Sequence, residues 1–177
     1  MWQSWGVCYR SHQKYDLSLN CFQEALGIAR QYNNRKTEAY ILCNIGRSYQ
    51  DWEKYEEAID HYQQSRELCQ QFGKEKDFAV LWLLMSDGYR HWRKYEQALD
   101  ATQKCLALLQ QLDERYIIAY AYFQLGRIYQ DWEKYEEAIE HYERSRKLLQ
   151  QLGKEKDIVK ISLSSSINKC TLKLHNI

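Results

Sequence analysis

Apolar and polar positions along this chain follow a helical period, and the pattern itself recurs. Tyr40, Leu42, Ile45, Gly46 and Tyr49 fall on one stripe. A second stripe runs through Tyr55, Ala58, Ile59, Tyr62, Leu68 and Phe72. Spacings of three and four place side chains on one helix face, so this stretch predicts two amphipathic helices. Glu56 and Glu57 open the second helix, where carboxylates oppose the dipole, and Arg66 lies toward its end. Small residues at Gly46 and Ala58 let the two backbones approach closely.

The two-helix pattern repeats every 40 positions. Trp52, Trp92 and Trp132 are in register, as are Tyr15, Tyr55, Tyr95 and Tyr135. Ala58, Ala98 and Ala138 align with Ser18; Gly6, Gly46 and Gly126 align with Ser86. Arg47–Asp77 returns as Arg127–Asp157 with 24 of 31 residues identical. Breaks fall at Asn33, Gly73, Asp113 and Gly153, the residue types that best tolerate a left-handed helix end. Self-similarity at a fixed period marks a stacked repeat protein. The expected fold is all-α: an α-solenoid of four helix-turn-helix hairpins, at 1–36, 37–76, 77–116 and 117–156. Residues 157–177 then form a tail, read as a weak capping helix from Asp157 to about Lys169 and a frayed end.

Composition narrows the function. Lys and Arg number 25 against 24 Asp and Glu, a net charge of +1, so no electrostatic case exists for nucleic acid or an anionic membrane. No apolar run approaches 20 residues, and MWQSWGVCYR has no secretory pattern. Pro is absent and only 7 Gly occur, against a loop-rich β architecture. The six Cys have neither CxxC pairing nor a His cluster at ligand spacing, which reads as reduced thiols in a cytoplasmic protein, with no metal and no cofactor. His61 and His141 recur in register, as structural residues do, and no nucleophile or phosphate-cradle motif is present. The chain is not read as an enzyme.

The register resembles the tetratricopeptide pattern W-x2-L-G-x2-Y…A-x3-F…P. Copy one carries Trp2, Trp5, Gly6, Tyr9, Ser18 and Phe22; copy two Leu42, Ile45, Gly46, Tyr49, Ala58 and Tyr62. Copy three carries Trp82, Met85, Ser86, Tyr89, Ala98 and Thr102; copy four Tyr122, Leu125, Gly126, Tyr129, Ala138 and Tyr142. The 40-residue length is similar to the long-repeat arrays of cyanobacterial-type bacterial proteins, Pins-type adaptors and kinesin light chain. HEAT-type repeats share the length but not this Gly/Ala/Tyr spacing. The resemblance implies a right-handed superhelix and puts the extra length in a second helix about one and a half turns longer than usual. The family's terminal Pro is missing, and Gln13, Glu53, Arg93 and Glu133 replace the Gly that usually ends the first helix, which implies a somewhat different turn.

The resemblance further implies a concave groove lined by first helices. Copy two would present Tyr40, Cys43, Asn44, Arg47, Gln50 and Asp51. Copy three would present Val80, Leu83, Leu84, Asp87, Arg90 and His91. Copy four would present Tyr120, Phe123, Gln124, Arg127, Gln130 and Asp131. Copy one adds Gln3, Ser4, Val7 and Arg10. Asn44 and Gln124 could grip a peptide backbone, the arginines an acidic group, and Tyr40, Tyr120 and Phe123 serve as anchors. The alternative is that Arg47/Asp51 and Arg127/Asp131 are i,i+4 pairs on a solvated face. The chaperone-binding clamp of Lys and Asn is absent: Cys43/Arg47, Leu83/Asp87 and Phe123/Arg127 stand in its place. Specificity is expected where copy three departs from its neighbours.

The leading expectation is therefore a module that binds a peptide or partner protein. Two rivals remain: a structural or self-assembly spacer of a larger signalling protein, and a peptide-ligand sensor without its output domain. Trp2, Trp5 and the tail mark open repeat edges through which copies could associate.

Overall fold

The computed structural model describes residues 1–71, 75–154, 156–157 and 163–175. Among these, nine helices occur and no strand: α1 (Trp2–Ser11), α2 (Tyr15–Gln31), α3 (Arg35–Asp51), α4 (Tyr55–Gln71), α5 (Glu75–His91), α6 (Tyr95–Gln111), α7 (Arg115–Asp131), α8 (Tyr135–Gln151) and α9 (Leu163–His175). Helices α2 to α8 are each 17 residues long. The 40-residue period thus divides evenly between first and second helices. This corrects the expectation that the second helix alone is lengthened: each first helix starts two residues earlier than the apolar stripe suggested, as at Asn34, whose side chain caps the Thr37 N–H at 3.1 Å.

The turns share one geometry. Gln13, Asn33, Glu53, Arg93, Asp113, Glu133 and Gly153 all have positive φ, between 49° and 64°. Lys54 N–H donates to the Tyr49 carbonyl at 2.9 Å, and Lys134 N–H to that of Tyr129 at 2.8 Å, the six-to-one bond of a Schellman end. The missing Gly therefore does not remove the left-handed residue; a Gln, Glu or Arg adopts it instead. The expected break at Gly73 lies outside the described residues.

The chain forms two compact units, Met1–Trp92 and Arg93–Ile177. In the first, Phe22, Leu26 and Ala29 of α2 pack on Ile41, Leu42 and Ile45 of α3, and Tyr62 of α4 packs with Leu81 and Met85 of α5. The Tyr62 ring lies over Gly46, where an added Cβ would come within 2.6 Å of it. Phe22 covers Gly6 in the same way. Trp52 stacks on Tyr15 at 5.9 Å, and the Lys54 ammonium lies over the Trp52 ring, 3.5 Å from its centroid.

In the second unit, Trp132 stacks on Tyr95 at 5.5 Å under Lys134, and Tyr142 lies over Gly126. Helix α9 packs on α8 and buries Leu163, Ile167 and Cys170 with Phe123, Tyr142 and Leu149. Leu163–His175 carries the helix past Lys169, its expected end; residues 158–162 of the expected capping helix lie outside the described residues.

Candidate partner-binding face

In the first unit the expected face divides into a pocket and a network. Tyr40, Cys43, Asn44 and Arg47 of α3 share a pocket of 370 Å³ with Leu84 and Val80 of α5. Lys36, Ala39, Leu81 and Asp77 complete it, together with Ser65 and Cys69 from α4. Tyr40 is 56% exposed, and Arg47 is exposed as well. Burial pushes the Cys43 thiol above its usual range, with Arg47 opposing, and burial does the same to Cys69. Both thiols therefore stay neutral and line the pocket as small apolar groups.

Asn44 is buried: its amide donates to the Tyr40 carbonyl at 2.9 Å and its oxygen accepts from Arg10 at 3.4 Å. Its donor and acceptor are thus engaged within the hairpins. Asp51 pairs with Arg10 at 3.5 Å, tying α3 to α1. Burial raises the Asp51 carboxyl above its ordinary value, and Arg10 and Arg47 partly offset that.

The remaining positions hold α3 and α5 together. Gln50 donates to Asp87 at 2.7 Å and accepts from the Tyr62 hydroxyl at 2.9 Å. Asp87 also accepts from Arg90 at 2.9 Å, and Arg90 donates to His91 Nε2 at 2.7 Å. Arg90 is buried, while the exposed His91 ring stacks on Tyr55 at 6.1 Å. Leu83 is in the core, so of the copy-three positions only Leu84 and Val80 reach the pocket.

In the second unit Tyr120 is 40% exposed and lies 6.1 Å from the Phe123 ring. Phe123 itself is buried, so the expected anchor is a core residue. Gln124 is buried and accepts from Arg127 at 3.0 Å, and the Arg127 guanidinium sits 5.9 Å from the Phe123 ring. Gln130 accepts from Tyr142 at 3.0 Å and from the Cys170 thiol at 3.5 Å. Asp131 is exposed, and its backbone carbonyl accepts from the Tyr95 hydroxyl at 3.0 Å.

His61 and His141 stack on Tyr49 and Tyr129 at 5.3 and 5.2 Å. Burial lowers both imidazoles below 6.5, assisted by Arg30 for His61 and Arg144 for His141. Reading only first helices missed Ser65 and Cys69, which line the pocket from α4. The signal was present: Cys69 is one of the few positions at which the near-duplicate segments differ. Among the described residues no helix is long and apolar enough to cross a membrane.

Paired helices with Gly6 under Phe22, Gly46 under Tyr62 and Gly126 under Tyr142, each ring 16 positions on from its glycine, define a helical-hairpin repeat protein. The chain belongs to the tetratricopeptide repeat family, whose model matches residues 1–71 and 77–151. No curated protein matches it. Solved structures of similar fold include BtubC (BKLC) from P. vanneervenii, with TM-score 0.73 and 16% identity over 97% of this chain and 74% of that one. A signal transduction ATPase with a tetratricopeptide repeat sensor, from Pyrococcus horikoshii, gives TM-score 0.80 and 15% identity over 90% of this chain and 25% of that one. A Rap protein complexed with Competence and Sporulation Factor gives 0.77 and 19%, over 97% of this chain and 50% of that one. The chain thus spans a quarter of the ATPase and half of the Rap protein.

Proposed function

We propose that this chain is a protein-interaction module that receives a peptide or partner segment on the face formed by its first helices. The observation that carries the reading is the pocket at α3, α4 and α5: six positions expected on the face, Tyr40, Cys43, Asn44, Arg47, Val80 and Leu84, converge there. An exposed aromatic and an exposed cation beside an apolar recess form the kind of anchor site that dominates binding energy. In the second unit Tyr120 is exposed on α7, but Phe123 is buried beneath it. A Rap protein of the same fold complexed with a factor supports the choice of a peptide or protein partner. Displaying a random peptide library to the purified protein tests the reading. Selected peptides should lose binding to a Tyr40→Ala/Arg47→Ala variant whose helicity is unchanged. Peptides that bind that variant as well as the wild type would reject the face.

A second reading is self-association through the first hairpin. Trp2 and Trp5 are 41% and 49% exposed, whereas Leu42 and Ile45, their counterparts 40 positions on, are buried. The two rings pack edge to face at 5.7 Å and leave an aromatic surface on α1. Light scattering over a wide concentration range should show association that Trp2→Ser/Trp5→Ser removes; a monomer throughout rejects it.

A further inference from the structure

The two units carry one hairpin design with different filling. Cys43 and Cys69 of the first unit stand 80 positions before Phe123 and Leu149 of the second. In the second unit Phe123 and Leu149 are buried in a single cluster with Ala119, Tyr142 and Leu163, the Phe123 ring 5.6 Å from that of Tyr142. In the first unit the register-matched Cys43 and Cys69 border an open space of 370 Å³. Among the other register partners, Ala39 with Ala119, Tyr40 with Tyr120 and Ser65 with Ser145 are identical, whereas Lys36, Asn44, Val80, Leu81 and Leu84 are replaced by Tyr116, Gln124, Lys160, Ile161 and Ser164. Two small thiols leave empty what a phenyl ring and an isobutyl group occupy in the sister hairpin. Interiors rarely tolerate such voids unless something enters them.

The rim supplies a direction of charge. Arg47 and Lys36 are exposed at the mouth, and Arg47 has no ion pair among the described residues. Among the described lining residues Asp77 is the one acidic group, and the cations Lys36 and Arg47 both come from α3. Val80, Leu81 and Leu84 face a guest from α5, and Tyr40 offers an aromatic wall.

We propose that this pocket takes one Phe- or Leu-sized side chain of a partner peptide, with a neighbouring carboxylate held by Arg47. The inference rests on the reading of the face as a binding surface, and adds the class of residue it recognises. The second unit cannot do the same, because it has already filled the equivalent space with its own Phe123.

The probe is N-acetyl-Phe-Asp-amide, titrated into isotope-labelled protein while the amide resonances of Ala39, Val80, Leu81 and Leu84 are followed. Saturable shifts at those four residues are expected. Replacing the probe's Phe with Ala should weaken binding about tenfold or more, and replacing its Asp with Asn about tenfold. Cys43→Phe/Cys69→Leu, the pair the second unit already tolerates, should abolish the shifts. Arg47→Gln should weaken the Phe-Asp probe to the level of the Phe-Asn probe, and decides the matter if the filled variant fails to fold. No shifts at these residues, or shifts unchanged in either variant, overturn the proposal. Concentration-dependent shifts of the same resonances without probe also overturn it, since a second copy then fills the pocket. Library peptides that need Tyr40 and Arg47 yet bind the filled variant normally would overturn the pocket alone and leave the face assignment standing. A library yielding no such peptide fails the face assignment, whatever the probe does.

Discussion

Tyr62 donates its hydroxyl to Gln50 Oε1 at 2.9 Å, from the second helix of a hairpin back to the first. Eighty residues on, Tyr142 does the same to Gln130 at 3.0 Å. Burial pushes both phenols well above their usual range, so each remains a donor at any physiological pH. Each Gln then reaches the next first-type helix, at Asp87 in one unit and Cys170 in the other. Tyr62→Phe should therefore cost about 1 kcal/mol, the net worth of one buried hydrogen bond, and Tyr142→Phe a similar amount. Urea denaturation midpoints would register both, and no change in either would remove the bond from the account.

The same rings bar any side chain at the glycines beneath them. A Cβ at Gly46 would sit 2.6 Å from the Tyr62 ring and 3.0 Å from the Ala58 carbonyl. Gly46→Ala should destabilise by roughly 1–3 kcal/mol through overpacking, although Ala is the better helix former. Gly27, with open space around it, is the control: Gly27→Ala should be neutral or stabilising by up to about 1 kcal/mol. Thermal melts of the two variants should move in opposite directions.

Glu38 is a buried carboxylate between two guanidiniums, Arg30 at 2.8 Å and Arg35 at 3.0 Å. Burial pushes its carboxyl up, but the hydrogen bonds and charges of Arg30 and Arg35 more than offset this, leaving it below 4.5. Both arginines are about half exposed, so solvent screens part of the attraction. Glu38→Gln should cost about 1–3 kcal/mol at neutral pH by removing the charged acceptor. The wild type should lose this contribution only as pH falls below 4.5, a loss the variant should not show.

Acid should act earlier through the stacked histidines. His61 and His141 have folded-state pKa values lowered below 6.5, so below that pH the unfolded chain binds more protons than the folded one. Their contribution is complete above about 6.5 and is lost as pH falls from there toward the folded values. A His61→Phe/His141→Phe variant keeps a ring against Tyr49 and Tyr129 and should flatten the stability profile as pH falls below about 6.5. An identical decline in variant and wild type would place the acid sensitivity elsewhere.

Much of the fold was legible because the apolar register is strict. Gly46 and Tyr62, Trp52 and Tyr15, and the breaks at Asn33, Asp113 and Gly153 all sit where packing or a left-handed turn demands them. The turns at Gln13, Glu53, Arg93 and Glu133 were illegible, since these side chains do not advertise positive φ; the bonds closing the helix end impose it. The face was harder still. Helical spacing places Leu83, Arg90, Phe123 and Gln124 on the first helices, but only the neighbouring helices decide that they are covered. The pocket depends on what is missing, a volume left by Cys43 and Cys69, and a stripe of apolar letters does not record volume.

The even division of the period has a consequence at the level of the gene. Arg47–Asp77 and Arg127–Asp157 lie 80 residues apart, twice the 40-residue unit of two 17-residue helices and their turns. A crossover between these two stretches deletes or duplicates two whole hairpins and keeps first and second helices in alternation. Recombination there can lengthen or shorten the array in one step; Cys43, which precedes Arg47, stays in every product, whereas Cys69 is removed or copied when the exchange falls before it.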